Sequence, residues 1–456
     1  MSITIVGLGP GEGVLLTLEA RAVLEAAQEI YLRTLRHPTV SFLPTHLTLH
    51  SYDHVYEVEQ DFGAVYDTIA SQVVELGNRP QGVVYAVPGH PLVGEETVRR
   101  ILALAKDREL EVKLVPGLSF IETALLPLGL DPLGGLQIVD ATLLANRLHP
   151  NLDPDLPALI GQLYSRRVAA EVKLTLMNLY PAHHGVTLLR NLGTAQASSE
   201  DLPLHELDHV QDIDHLTTLY APPLARPSSV ATFHDIVARL RAPGGCPWDR
   251  EQTHQSLRPH LLEETYEVLQ AIDEEDDEAL REELGDLLLQ IILHTQIAVE
   301  EGAFTLADVL ETIIEKIVRR HPHVFAGVQV ADADEVLRNW QAIKREEKEE
   351  KEDQPLWGMP PSLPALTLAR RAQERAQREE LLLATRGDLL SEAQSRLNRL
   401  GDLNDQEEAA RELGQLLFTL TDLGRHLGVD AESALRTATK RFGEGIAAAR
   451  SKRGGS

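Results

Sequence analysis

A single cysteine, Cys246, stands in 456 residues. No disulfide can therefore form within the chain, which fits a reducing cytosol. No basic stretch precedes an apolar core near the N-terminus, and no apolar run reaches the roughly 18 residues a membrane helix needs. Positive charge is scarce as well: 43 Lys and Arg face 70 Asp and Glu, a formal net charge of −27. That balance argues against a nonspecific grip on nucleic acid or on an anionic membrane surface. It leaves phosphorylated small molecules open, because a metal or a local cationic cluster can receive them. A soluble, cytoplasmic protein with neither nucleic acid nor membrane as partner is expected. The length suggests about two to four domains.

The first half reads as α/β. Ile3-Thr4-Ile5-Val6 is a short β-branched run that ends at Gly7-Leu8-Gly9-Pro10-Gly11 and feeds a helical pattern from Leu16 through Ile30. Gln81 to Val87 reads as a buried strand stopped by Pro88-Gly89-His90-Pro91, and Glu111–Val115 as a third, stopped by Pro116-Gly117-Leu118-Ser119. Strands alternating with helices indicate a mostly parallel sheet. Further strands are expected at Gln137–Val139, Pro157–Ile160 and Lys173–Leu176, suggesting a second α/β lobe. The Pro- and Ser-rich stretch from Ala221 to Ser229 reads as a linker. Beyond it helical periodicity takes over to the C-terminus, broken by the charged run from Lys344 to Asp353 and by Pro355, Pro360 and Pro361. The expected division is 1–223 (α/β, two lobes), 224–232 (linker), 233–348 (all-α), 349–361 (charged, Pro-rich linker) and 362–456 (all-α).

The chemistry concentrates in Leu262-Glu263-Glu264-Thr265-Tyr266-Glu267 and in Glu283-Leu284-Gly285-Asp286. Carboxylates three residues apart share one helix face. Two such helices packed antiparallel would gather Glu264, Glu267, Glu283 and Asp286. Two like charges about 4 Å apart repel by roughly 4 kcal/mol at an effective dielectric near 20, so the group asks for a cation. A solvated helix face is the competing reading. Against it, Asp is a poor helix-interior residue, and Asp286 is followed by Leu-Leu-Leu-Gln-Ile-Ile-Leu, apolar nearly all round as in a buried helix. Carboxylates alone favour Mg²⁺ or Mn²⁺ over zinc. Di-iron bundles want Glu-x-x-His on two helices, whereas here Asp286 follows Glu283; His294 reads as a packing or capping residue.

Mg²⁺ shares its coordination with substrate phosphates, and cationic groups lie downstream: Arg319, Arg320, and Lys344 one helical turn from Trp340. Trp340 could present a platform for a base and Lys344 a phosphate contact; a core Trp and a helix-dipole match by the arginines are the ordinary alternatives. Trp248 is a further base-stacking candidate, with a buried anchor as its rival reading. Shifting the sequence by 129 residues lays Glu283-Leu284-Gly285-Asp286 on Glu412-Leu413-Gly414-Gln415, and Glu264 and Glu267 on Ala393 and Arg396. This internal repeat keeps the apolar pattern but, of the four carboxylates, retains an acid only at Glu412.

Taken in order, Pro243-Gly244-Gly245-Cys246-Pro247-Trp248-Asp249, Gln252-Thr253-His254, the two carboxylate motifs, Arg319-Arg320-His321-Pro322-His323-Val324-Phe325 and Asn339-Trp340 resemble the MazG family of all-α nucleoside triphosphate pyrophosphohydrolases. The resemblance implies Glu264, Glu267, Glu283 and Asp286 as metal ligands and Glu263 as an orienter of water or a ligand to a second ion. It also implies hydrolysis of a (d)NTP to the monophosphate and pyrophosphate. In such a reaction Arg319, Arg320 and Lys344 would neutralise charge on the leaving group. The first 223 residues resemble the S-adenosylmethionine-dependent tetrapyrrole (corrin/porphyrin) methylases through Gly7, Gly9 and Gly11, Gly89-His90-Pro91, and Pro116, Gly117 and Ser119. That likeness implies S-adenosylmethionine near those turns. Gly89-His90-Pro91 stands where such methylases usually have Gly-Asp-Pro, which bears on the methyl acceptor. A methyltransferase with a helical accessory and a ligand-sensing regulator are the alternatives to a hydrolase. Short, apolar helices suggest a homodimer or higher homo-oligomer.

Overall fold

The computed structural model describes residues 1–59, 61–346, 359–360, 362–379, 381, 384–403 and 405–453. The chain divides into two compact units, Met1–Leu306 and Ala307–Ser456, and the division falls within the 233–348 segment.

The first unit opens with β1 (Ser2–Gly7), α1 (Leu18–Ala26), β2 (Glu29–Leu32), β3 (Thr48–Ser51), α2 (Asp53–Val58), α3 (Phe62–Gly77), β4 (Val83–Val87), α4 (Glu96–Asp107) and β5 (Glu111–Val115). The five strands form a parallel sheet in the order β3-β2-β4-β1-β5. Ile3, Ile5, Val6, Tyr85, Ala86 and Val87 on its two central strands are fully buried, because helices cover both faces of a parallel sheet. The helix expected through Ile30 stops at Ala26. Ala27 is extended, and Ile30 is a buried residue of β2.

The second lobe follows: α5 (Phe120–Leu128), β6 (Gln137–Asp140), α6 (Ala141–Ala145), β7 (Ala158–Gly161), α7 (Arg166–Leu176), β8 (Gly185–Arg190), β9 (Ser198–Pro203) and β10 (Thr217–Ala221). Its sheet runs β6-β7-β10-β8-β9. Only β6 and β7 are parallel; the remaining pairs are antiparallel. The strand expected at Lys173–Leu176 is instead the last turn of α7. The Ser165 hydroxyl caps that helix at Val168 N, and Val168, Ala169, Val172, Thr175 and Leu176 are buried at helical spacing.

The Pro-rich connection is tied down, because the Asp155 carboxylate accepts from the backbone N–H groups of Ser228 and Ser229 at 2.7 and 3.1 Å. The chain then turns helical: α8 (Val230–Arg241), α9 (Pro247–Glu251), α10 (Arg258–Glu274) and α11 (Asp277–Glu300). Glu275, left-handed at φ 54°, ends α10, and the Asp276 carboxylate caps the start of α11. This tight turn folds α10 and α11 into an antiparallel hairpin. The all-round burial expected of α11 is confined to its C-terminal half. Gln290, Ile292, Leu293 and Ile297 are buried, while Leu284, Leu288 and Ile291 are 49, 37 and 42% exposed. Within this unit the α11 core is the cluster of Ile292, Leu293 and Ile297 with Val237 of α8 and Leu257; among the described residues no such cluster covers its first half.

The second unit takes in α12 (Leu306–Arg320) beyond its first residue, α13 (Pro322–Phe325), α14 (Ala333–Glu346), α15 (Ala365–Arg378), α16 (Arg386–Asp402), α17 (Gln406–His426) and α18 (Ala431–Arg453). The 129-residue repeat sets α16 and α17 on the hairpin of α10 and α11. Gln373 donates to the Phe418 carbonyl at 2.8 Å, fastening α15 to α17. Most of the charged linker at 349–361 lies outside the described residues. Among the described residues no helix is long and apolar enough to cross a membrane.

Candidate active site

The hairpin turn sets the register of α10 against α11, and the register decides what faces what. One oxygen each from Glu264, Glu267 and Glu283 lies within 4.8 Å of the others. Glu264 and Glu283 are half-buried, Glu267 exposed. Asp286 lies close enough to act electrostatically on both half-buried acids. Burial, then Asp286, Glu267 and Glu283 in turn, pushes the Glu264 carboxyl above its ordinary range. Burial, then Glu267 and Asp286, does the same to Glu283. Raised carboxyls in one group mean unrelieved negative charge, and an all-oxygen donor set of this kind fits a hard divalent cation. Glu263 is exposed one residue aside, with an oxygen 3.7 Å from Nδ1 of His260.

The segment before α10 is held to the hairpin by a residue that sequence reasoning passed over. The guanidinium of Arg241, almost wholly buried, donates to the carbonyls of Asp249 and Gln252 and pairs with Glu300 at 2.8 Å. This fixes α9 and Trp248, whose ring meets His260 edge-on at 6.1 Å. Trp248 is 54% exposed, which removes the buried-anchor reading. His260 sits one turn before Glu264 on α10, on the face the carboxylates share. His294, expected as a packing or capping residue, stacks on His254 with Nδ1 atoms 2.8 Å apart. No motif spacing links these two histidines in the sequence.

Arg319, Arg320, Trp340 and Lys344 belong to the second unit. There Arg320 and Lys344 both approach the Trp340 ring, at 5.4 and 4.7 Å from its centroid.

The glycine turns of the first lobe behave in two ways. A Cβ on Gly7 would lie 2.6 Å from Gly117 N and from Gly89 O, and one on Gly11 would lie 2.1 Å from Gly193 O. Gly9 bridges to Gly89, and the Pro116 carbonyl accepts from Thr17. Gly7, Gly9, Gly11, Pro116 and Gly117 thus lie where backbones pack against one another. Gly89, His90 and Ser119 instead line a cleft of about 1760 Å³ between the two lobes. Nδ1 of His90 accepts from Leu92 N at 3.1 Å. Ser119 and Glu122 form a capping box at the start of α5.

A two-lobed α/β domain followed by helical hairpins, one of them gathering acidic oxygens, defines a fused, two-part protein. The family model for the MazG nucleotide pyrophosphohydrolase domain matches residues 252–325, and that for the tetrapyrrole (corrin/porphyrin) methylases matches residues 2–208. The chain is 44% identical over 209 residues to the nucleoside triphosphate pyrophosphohydrolase/pyrophosphatase MazG of Thermotoga maritima, covering 46% of this chain and 80% of that relative. It is 38% identical over 450 residues to the uncharacterized protein YabN of Bacillus subtilis, covering 96% of this chain and 91% of that one. A solved uroporphyrin-III-C-methyltransferase from Thermus thermophilus is 21% identical with a TM-score of 0.38, covering 48% of this chain and 91% of that structure. The chain belongs to the MazG family of nucleoside triphosphate pyrophosphohydrolases and carries a tetrapyrrole methylase domain in its N-terminal half.

Proposed function

We propose that the protein hydrolyses nucleoside triphosphates to the monophosphate and pyrophosphate in the presence of Mg²⁺ or Mn²⁺, and so clears unwanted (d)NTPs from a cytoplasmic nucleotide pool. The observation that carries this reading is the convergence of Glu264, Glu267 and Glu283 at one level of the α10–α11 hairpin. With Asp286 they would hold the cation. A cation held there would supply positive charge against the phosphates and make water easier to deprotonate. Glu263, exposed beside the cluster, orients the water and takes its proton. The new bond forms from the water oxygen to the α-phosphorus as the bond to the bridging oxygen breaks, and its electron pair leaves with pyrophosphate. Trp248 offers its exposed face to the base. Arg319, Arg320, Lys344 and Trp340 supply, within the second unit, the cationic and aromatic groups that suit a triphosphate and a base. The proposed catalytic segment is 233–348, with 362–456 as its degenerate repeat. Leu284, Leu288 and Ile291 are exposed on α11, and a homodimer would cover them.

The test is pyrophosphate release by the full chain carrying Glu264→Gln or Asp286→Asn. Both variants should fall to background while their circular dichroism stays unchanged; undiminished hydrolysis in both would overturn the assignment.

A second reading concerns S-adenosylmethionine, for which Gly89, His90 and Ser119 on the inter-lobe cleft are the proposed contacts, with Gly7, Gly9, Gly11, Pro116 and Gly117 shaping the turns behind them. Calorimetry with the cofactor decides it: no heat at millimolar ligand removes it.

A further inference from the structure

Arg241 closes the last turn of α8 with a guanidinium that is 6% exposed. Its Nε and one Nη donate to the two oxygens of Glu300 on α11, at 2.9 and 2.8 Å, the bidentate fork that suits a guanidinium and a carboxylate. The other Nη donates to two backbone carbonyls, those of Asp249 and Gln252. The pairing with Glu300 fastens α8 to α11, yet Val237, Leu257, Ile292, Leu293 and Ile297 already pack those helices together. The bonds to the carbonyls do something the core does not. Asp249 and Gln252 stand at the end of α9, where carbonyls lack partners within the helix, and a buried cation draws both of them in.

α9 is held at its start as well, because Cys246 N donates to the Leu240 carbonyl at 2.8 Å. α8 is itself fixed at its far end, where Asp155 receives the N–H groups of Ser228 and Ser229. Trp248 lies between these ties, and the Gln252 side chain donates to its carbonyl at 2.9 Å. The indole is half exposed and meets His260 edge-on. A ring with so much of its surface in solvent gains little from burial. Its height over His260 and Glu264 is therefore set by the backbone beneath it, and that backbone hangs on Arg241.

We propose that Arg241 is the positioning residue for Trp248. It sets the indole where it can stack on the base of a nucleotide whose phosphates lie at the Glu264 carboxylates, and it touches no substrate itself. This rests on the reading of Trp248 as the base contact. Calorimetry on the full chain in Mn²⁺ tests it with α,β-imido dATP, in which the bond to be cleaved is blocked. Trp248→Leu should weaken binding about tenfold, within the range of one base–aromatic stack. Arg241→Met should weaken it to the same degree, and the double variant no more than Trp248→Leu, because the two residues act through one contact. Mn²⁺ stoichiometry, followed by electron paramagnetic resonance, should stay the same in all three, since the hairpin turn at Glu275 and Asp276 does not involve Arg241. Arg241→Lys keeps a charge for Glu300 but lacks the planar fork that reaches both carbonyls. It is read by the same criteria if the methionine variant does not fold. Unchanged affinity in the Arg241 variant, or a weakening that multiplies with Trp248→Leu, would leave the two residues independent and overturn the proposal. Loss of Mn²⁺ would overturn it too, by making Arg241 a general fastening of the fold. No binding by the parent chain, or full binding by Trp248→Leu, would remove it together with the base contact. Failure of the hydrolytic reading shows instead in pyrophosphate release and does not enter these affinities.

Discussion

The Arg396 guanidinium donates to Glu412 at 2.8 Å and to Glu392 at 2.7 Å, while Arg399 reaches the other oxygen of Glu412 at 3.1 Å. In the internal repeat Glu412 stands where Glu283 stands in the first copy, and Arg396 where Glu267 stands. The second hairpin therefore has a fixed guanidinium where the first has a carboxylate. With Gln415 at the Asp286 position and Ala393 at the Glu264 position, the second copy keeps an acid at only one of the four carboxylate positions.

This makes the two hairpins respond oppositely to substitution. Among the described residues, Arg396→Met leaves Glu412, largely covered, with Arg399 as its counter-charge. A loss of about 1 kcal/mol is expected for a pair of partial exposure, read as a fall of about 2–4 °C in the melting of the second unit. The same variant should leave Mn²⁺ stoichiometry, followed by electron paramagnetic resonance, unchanged. A gain of bound Mn²⁺ would mean that the Arg396 guanidinium alone keeps metal out of the second hairpin.

Much of the first hairpin was legible in the sequence. A spacing of three residues is a local property, and the helices that carry Glu264, Glu267, Glu283 and Asp286 form as that spacing requires. The exposure of Leu284 and Leu288 was not legible, because a run of apolar residues does not say what packs against each side of its helix. Lys173–Leu176 misled for a similar reason. Four residues alternating polar and apolar look like a strand, and only the longer window from Val168 to Leu176 shows the helical period. The contact of Trp248 with His260 also lies beyond sequence spacing, since it depends on Arg241 drawing the α9 segment onto α11.

The metal-free hairpin should be strained in a way that depends on pH. The Glu264 and Glu283 carboxyls are raised above the ordinary value of 4.5, so the folded chain keeps protons that the unfolded chain gives up. Stability from these groups is greatest when both are protonated, and it falls as pH climbs from about 4.5 through their raised values. A bound divalent cation cancels that loss. The gain in melting temperature on adding Mn²⁺ should therefore grow with pH above 4.5 and vanish in Glu264→Gln. That variant should also melt higher than the parent chain in EDTA at pH 7.5, because it removes one member of a repelling group. Equal melting of the two proteins in EDTA would show that the carboxylates do not strain the fold.

The two imidazoles beneath the hairpin carry the opposite sign. The Nδ1 atoms of His254 and His294 can share only one proton across their 2.8 Å contact, so protonating both nitrogens of His294 sets N–H against N–H and breaks the bond. Burial, and next the neighbouring His254, holds the pKa of His294 below the ordinary 6.5. The folded chain thus binds fewer protons there than the unfolded chain does. The stability from this residue is fully present above pH 6.5 and is lost as pH falls through the lowered value. His294→Gln keeps a side chain that can hydrogen-bond to His254 but cannot titrate. Its melting temperature should change less between pH 7 and pH 5 than that of the parent chain, with the difference read in Mn²⁺ so that the carboxylates are neutralised in both. Identical pH dependence in the two proteins would mean that the stacked pair makes no contribution to the acid sensitivity of the helical segment.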